Sequence, residues 1–315
     1  MYSLGVDLGG MSIAFAIVDE KYNLVKKSSV KTPLGGDGIY FANVIENEIE
    51  KLCAYCKIET NELKWVGIGA PGHVDSDTGE IIFACNIGLS NFPMAKVLEE
   101  KLGCKVYVGN DANAAALGEA LAGSARDSKS SVTMTLGTGI GMGIVENGKI
   151  ITGCHYCAGE GGHMVIVAGG RQCNCGRRGC FETYASATGL IASTKEAMSK
   201  DRESLLWNLC DGSLDNVTGK TAFDGKALGD KTANNIVDEY IYYLACGVTN
   251  IVNLLEPEII CMGGGISEQG DELIIPLREL VKKEQYSRIT KTTKIVKASL
   301  GNDAGLIGAA LLGYQ

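Results

Sequence analysis

Proline and positive charge are scarce in this sequence of 315 residues, and it has no long apolar run. Five prolines against 42 glycines are typical of an ordered α/β protein with many tight turns, not of a linker-rich chain. Lysine and arginine number 29 against 37 acids, so the net charge is −8 and nucleic-acid binding is not expected. No segment approaches the roughly 18 apolar residues that span a bilayer, so we expect no membrane association.

The N-terminus lacks the basic segment of a secretory signal, because MYSLGVDLGG carries an acid early and no lysine or arginine. We therefore expect a cytoplasmic protein. Twelve cysteines would indicate disulfides in a small secreted chain, but in a cytoplasmic chain of this length they favour metal ligands and buried thiols.

Both halves of the chain begin with the same pattern of strand, glycine turn and strand. Residues 3–7 and 11–18 flank the first turn, and residues 131–136 and 140–145 flank the second. In a chain long enough for two domains, this repetition predicts a duplicated architecture with a ligand cleft between the halves.

Further apolar patterns predict the remaining core elements. Strands are expected at 25–32, 65–70, 105–108 and 259–262, and helices at 39–57, 112–122, 236–255 and 302–312.

Three glycine turns follow predicted strands, at Gly9-Gly10, Gly137-Thr138-Gly139 and Gly263-Gly264-Gly265. Backbone N–H groups can approach a phosphate closely where no Cβ intervenes. One such turn alone is more typical of a structural hairpin, but three in this order predict a phosphate site. Asp7, just before the first turn, is placed to hold Mg²⁺ and its waters beside the phosphates. The P-loop motif GxxxxGK[ST] is absent.

A cysteine cluster is the strongest local signal. His163, Cys173, Cys175 and Cys180 lie in glycine-rich sequence, and one imidazole with three thiolates makes a closed, structural zinc site. The pair Cys154 and Cys157 nearby is an alternative source of ligands. Cys53 and Cys56 have helical spacing and are predicted to pack within a helix.

Two further features carry candidate chemistry. Asn110-Asp111 lies where a strand gives way to a helix, so Asp111 is placed to accept a proton from an attacking hydroxyl or to cap the helix. Glu160 and Glu182 flank the cysteine cluster, and a metal there would hold both carboxylates toward sugar hydroxyls; each is also typical of a solvated surface glutamate.

Together these residues resemble the ROK family of bacterial sugar kinases and repressors, over essentially the whole chain. The matching motifs are Asp7-Leu8-Gly9-Gly10, Gly69-Ala70-Pro71-Gly72, Asn110-Asp111-Ala112-Asn113, Leu136-Gly137-Thr138-Gly139, Glu160-Gly161-Gly162-His163 and Cys173-x-Cys175-Gly176-x-x-Gly179-Cys180-x-Glu182.

The resemblance implies a role for each matching residue. The general base would be Asp111. The sugar hydroxyls would be held by Asn110, Asp111, Glu160, His163 and Glu182, with Gly72, His73 and Asn86 lining the pocket. The phosphates of ATP would lie on Gly9, Gly10, Gly137 and Thr138, with Mg²⁺ at Asp7 and the adenosine against Gly264 and Gly265. One departure concerns the donor site: Met11 stands where the family usually has a small hydroxyl residue, and Ser12 follows it.

The fold implied is the two-domain, actin-like ATPase (ribonuclease H-like) α/β architecture. The expected domains are a smaller one at 1–115 with 303–315, and a larger one at 116–302 that carries the zinc loop. The activity implied is an ATP-dependent glucokinase of glycolysis, acting as a homo-oligomer, a dimer or tetramer.

Other functions within the same family remain alternatives. The sugar could be fructose, allose, N-acetylmannosamine or N-acetylglucosamine, and the donor could be polyphosphate. A sugar-sensing repressor is expected to carry a DNA-binding domain ahead of the first glycine turn, whereas only six residues precede Asp7 here.

Overall fold

The structure, a computed structural model, describes residues 1–33, 35, 37–287 and 292–315. In chain order its strands are β1 (Ser3–Leu8), β2 (Ser12–Val18), β3 (Leu24–Lys31), β4 (Val66–Ala70), β5 (His73–Asp75), β6 (Glu80–Ala84), β7 (Leu89–Phe92), β8 (Val106–Asn110), β9 (Ser130–Leu136), β10 (Ile140–Glu146), β11 (Lys149–Ile150), β12 (Ile259–Gly263) and β13 (Lys294–Lys297). The helices are α1 (Gly38–Cys56), α2 (Met94–Leu102), α3 (Asp111–Leu121), α4 (Glu182–Ala185), α5 (Ala187–Lys200), α6 (Leu206–Leu209), α7 (Thr221–Ala227), α8 (Lys231–Leu255), α9 (Asp271–Glu284) and α10 (Ala304–Ala310).

The described residues divide into two compact units. The first comprises residues 1–133, 143–159 and 299–315, and the second comprises residues 134–142 and 160–298. The domain limits expected from the sequence stay a prediction, because this division describes packing and not independent folding.

The first five-stranded sheet has the order β3-β2-β1-β4-β8. Its strands β1 and β2 pair antiparallel around the first glycine turn, and β1, β4 and β8 run parallel. Glycines let helix α10 lie directly on this sheet, since a Cβ at Gly5 or Gly67 would overlap the backbone of Leu306 or Ala309. The carboxyl ends of β1 and β8 thus bring Asp7 and Asn110 to the same edge.

The second five-stranded sheet has the order β11-β10-β9-β12-β13 and is also mixed, with β10 and β11 antiparallel and β12 and β13 parallel. This repeats the strand–turn–strand opening that the sequence predicts. The apolar stripe predicted at 236–255 is buried on helix α8, except for Leu255, which is 40% exposed. The helix ends at this residue, because Glu256 adopts the left-handed conformation.

A third, three-stranded antiparallel sheet, β5-β6-β7, was not expected from the sequence. Its strands are three to five residues long and show no regular alternation of buried and exposed residues, which leaves little periodic signal. It follows Gly72, whose φ of +84° and whose contact with the Phe83 backbone both require glycine.

Within the described part of the chain, none of the helices combines the length and apolarity that crossing a lipid bilayer requires.

Candidate active site and metal centre

The first glycine turn is closed by hydrogen bonds from two sides. The Gly9 N–H donates to Ser12 O (3.1 Å) within the turn. From the end of β3, the buried Thr32 donates its hydroxyl to Gly9 O (2.6 Å) and its N–H to Met11 O (3.0 Å). Thr32 therefore fixes the turn in space, a role with no signal in the sequence. The Met11 side chain is 90% exposed.

Asp7 lies beneath this turn, at the end of β1. Burial raises the pKa of its carboxyl above the ordinary value of 3.8. No ion pair to Asp7 is formed within the described residues. A partly buried carboxylate without a cation partner matches the chemistry of a site for a hydrated divalent ion.

The start of helix α3 presents Asn110 and Asp111. Asn110, not Asp111, is the N-cap: its Oδ1 accepts from Ala112 N (2.9 Å) and Asn113 N (3.2 Å). Its Nδ2 donates to Gly72 O (3.1 Å), which leaves one amide hydrogen for a sugar oxygen. Asp111 occupies the first helical position, where its Oδ1 accepts from Ala112 N (2.8 Å) and the helix dipole favours a carboxylate.

The remaining predicted sugar-site residues of the first unit lie around this helix start and the first glycine turn. Gly72 contacts Asn110 through the hydrogen bond just described. His73 Nε2 lies 2.7 Å from His155 O, which fixes the ring against the loop 153–157. Asn86 is exposed, and its Cβ lies 3.7 Å from the position of a Cβ on Gly10.

In the second unit, the second and third glycine turns are neighbours. The Gly137 N–H donates to Gly139 O (3.1 Å), and the Gly137 carbonyl accepts from Ala187 N (2.9 Å). Thr138 is exposed. Gly264 has a φ of +79°, and a Cβ there would lie 2.5 Å from the Leu136 N. Gly265 begins a 3₁₀ helix, Gly265–Gln269. These turns share one edge of the second sheet, as the predicted nucleotide site requires.

The cysteine cluster is assembled as the spacing predicts. The ligand atoms of His163, Cys173, Cys175 and Cys180 all lie within 4.8 Å of one another. Two of the distances, Cys173 Sγ to His163 Nδ1 and Cys175 Sγ to Cys180 Sγ, are 3.6 Å. Tetrahedral zinc with bonds of about 2.0–2.3 Å separates its ligands by about 3.7 Å, so the donor set fits zinc.

The three thiols differ in their readiness to ionise. Burial raises the pKa of Cys173 to about 12 and also raises that of Cys180. The backbone N–H of Arg177 lowers the pKa of the Cys175 thiol. Neither Cys154 nor Cys157 belongs to a group of metal-ligating side chains found among the described residues.

Glu182 connects this cluster to the second glycine turn. Its Oε1 lies 3.4 Å from Cys173 Sγ and 3.6 Å from His163 Nδ1, and its Oε2 accepts from Ile140 N (3.3 Å). Glu160 is more exposed, with an oxygen 3.9 Å from His163 Nε2. Arg177 donates to His163 O (3.1 Å), a positioning contact for which the sequence carries no signal.

The chain matches the model of the ROK family over residues 3–315. It is 38% identical to a glucokinase of Halalkalibacterium halodurans over 99% of this chain and 94% of that protein. It is 37% identical to a glucokinase of Thermotoga maritima over 98% of this chain and 95% of that protein. A ROK family glucokinase from Streptomyces griseus, solved in complex with glucose and AMPPNP, is 32% identical with a TM-score of 0.80 over 99% of both chains.

Proposed function

Because the chain belongs to the ROK family, we propose that it is an ATP-dependent hexose kinase that transfers the γ-phosphoryl group of ATP to the 6-hydroxyl of glucose. The observation that carries the proposal is the full-length similarity to glucokinases, one of which was solved with glucose and an ATP analogue. The family has the actin-like ATPase fold, which confirms the fold class expected from the sequence.

The general base is Asp111. It follows directly on the N-cap of α3, at the carboxyl edge of the first sheet, with its position fixed by backbone geometry. It accepts the proton of the 6-hydroxyl as the oxygen attacks the γ-phosphorus. Phosphoryl transfer depends mainly on positioning and charge stabilisation, and a base of this kind contributes about 10²–10⁴-fold.

The glycine turns bind the nucleotide. The phosphates lie on Gly9, Gly10, Gly137 and Thr138, where the glycines place no Cβ in the way, and Gly264 with Gly265 lies against the adenosine. Asp7 would hold the water shell of the Mg²⁺ that accompanies ATP, and this ion would neutralise phosphate charge. Met11 offers no hydroxyl to a phosphate, so the backbone of the first turn supplies this contact and Thr32 holds it in place.

The zinc ligands are His163, Cys173, Cys175 and Cys180, and the ion they fit is structural because no coordination position stays open. When bound, zinc locks the two segments that carry Glu160 and Glu182. Sugar hydroxyls donate to these carboxylates, and sugar oxygens accept from the remaining ring N–H of His163 and from Asn110 Nδ2, with Gly72, His73 and Asn86 nearby.

Rates of ADP release with a panel of sugars test the proposal. With ATP and Mg²⁺, glucose should exceed mannose, allose, fructose, N-acetylmannosamine and N-acetylglucosamine in kcat/KM. Formation of glucose 6-phosphate, measured directly, should be faster with ATP than with polyphosphate as donor. A ten-fold preference for fructose or an N-acetylhexosamine would overturn the choice of glucose alone. Absence of turnover with every sugar would overturn the kinase assignment.

Two properties of the whole protein complete the proposal. All 12 cysteines are free, which supports a reducing, cytoplasmic location. The resemblance supports a homo-oligomer, a dimer or tetramer, and sedimentation equilibrium of the purified protein distinguishes these from a monomer.

A further inference from the structure

We infer that Gly139 is a positioning residue for sugar binding, because its missing side chain leaves the space that the Glu182 carboxylate occupies. The inference rests on the proposed function, in which Glu182 binds sugar hydroxyls.

Backbone conformation does not explain this glycine. Gly139 is not among the residues with positive φ, so an L-amino acid can adopt its conformation. What favours glycine here is the lack of space for a Cβ. A Cβ at Gly139 would lie 2.5 Å from Glu182 Oε2 and 3.6 Å from Glu182 Cδ, with no other atom within 4 Å apart from its chain neighbours.

A hydrogen bond to Oε2 holds the carboxylate in this space. Oε2 accepts the Ile140 N–H at 3.3 Å, directly after the turn. Oε1 faces Cys173 Sγ at 3.4 Å and His163 Nδ1 at 3.6 Å. The side chain is 22% exposed. Because a carboxylate offers about four acceptor positions, capacity remains for sugar hydroxyls.

A methyl group at position 139 therefore acts on one neighbour only. The atom it meets is the far end of a flexible side chain, so the carboxylate can move without disturbing the backbone. Moving it breaks the Ile140 contact and turns Oε2 away from its present direction. The Gly139→Ala protein should keep its fold and lose sugar affinity.

The test is a double-mutant cycle on the full-length protein. The affinity for glucose is measured by isothermal titration without nucleotide, and the affinity for ATP without sugar, in wild type, Gly139→Ala, Glu182→Ala and the double variant. We expect Gly139→Ala to weaken glucose binding about 10-fold and to leave the melting temperature nearly unchanged. In the Glu182→Ala background the added methyl should have no further effect, because the group it displaces is gone.

The outcomes separate this inference from the proposed function. If wild type binds no sugar, the proposed function fails and the inference with it. If wild type binds glucose but the methyl has no effect, or the same effect with and without Glu182, only the inference is overturned. Loss of ATP affinity in place of glucose affinity, or a failure of Gly139→Ala to fold, also contradicts it.

Discussion

Asp111 owes its position to the start of helix α3, and this makes the role of its carboxylate separable from folding. Asn110 supplies the cap, so an isosteric Asp111→Asn change keeps the helix start intact. We expect kcat to fall about 10²-fold or more, with a far smaller change in glucose Kd, because proton transfer occurs only in the transition state. Steady-state rates and equilibrium binding measure the two quantities. Retention of most of the activity would remove Asp111 from the mechanism.

Thr32 should influence ATP through the first glycine turn. Thr32→Val deletes the hydroxyl that donates to Gly9 O at 2.6 Å and keeps the shape and the N–H contact to Met11 O. Loss of one hydrogen bond of about 1 kcal/mol predicts a rise of about 5-fold in the KM for ATP, with the KM for glucose unchanged. Thr32→Ser, which restores the hydroxyl, is the matched control. Equal changes in both KM values would point to a general structural role.

The Asp7 carboxylate should increase kcat/KM and lower the melting temperature of the nucleotide-free protein. Its carboxyl has no ion pair within the described residues, and burial raises its pKa. Asp7→Asn should therefore raise the melting temperature of the nucleotide-free protein at neutral pH, while kcat/KM falls at least about 10²-fold because the Mg²⁺ complex loses its anchor.

The sign of the accompanying pH dependence follows from the raised pKa of Asp7. An acid that binds its proton more tightly in the folded chain stabilises the fold while protonated, and this contribution is lost as pH rises through the folded pKa. Wild type should thus gain stability relative to Asp7→Asn as pH falls toward 3.8, the ordinary pKa of aspartate. Melting temperatures of both proteins across this range provide the measurement, and parallel curves would contradict the assignment.

At the scale of elements, the cysteine cluster joins the segment at residues 161–163 to the start of helix α4. We expect about one zinc per chain, resistant to mild chelation, because the four ligands form a closed set. Cys175→Ser should lose zinc and, with it, glucose affinity, since His163 belongs to the cluster and Glu182 contacts it.

Elemental analysis and glucose titration of the Cys175→Ser protein check both statements. Cys157→Ser is the control, because this exposed thiol lies outside the metal-suited group. Loss of zinc from the control instead, or full activity of a zinc-free wild type, would overturn the ligand assignment.

At the scale of the whole molecule, charge argues against a nucleic-acid partner. Acidic residues outnumber lysine and arginine by 37 to 29, so the net charge of −8 repels the phosphates of DNA. Affinity for DNA comes mainly from cations that replace the counterions of these phosphates. We expect Kd values for duplex DNA weaker than about 100 µM at physiological salt, with or without glucose. Fluorescence anisotropy of a labelled duplex measures this, and salt-dependent binding in the micromolar range would restore the repressor alternative.

Local signals in the sequence determined much of this protein. The two strand–turn–strand openings, helix α8 and the four metal-suited ligands each follow from residue type and short-range spacing, and the kinase family follows from their combination. The strand and helix limits of these elements differ from the predicted ones by a few residues, and the three-stranded sheet β5-β6-β7 carried too weak a periodicity to be predicted.

Only the tertiary structure decided which partners these residues have. Thr32 and Gly9 are 23 positions apart in the sequence, and Glu182 and Ile140 are 42 positions apart. Neither contact therefore leaves a pattern in neighbouring residues. It likewise decided that Gly139 makes room for a carboxylate, although its backbone needs no glycine. Periodicity reports which face of an element is buried, whereas the identity of a distant partner depends on how whole sheets and loops pack.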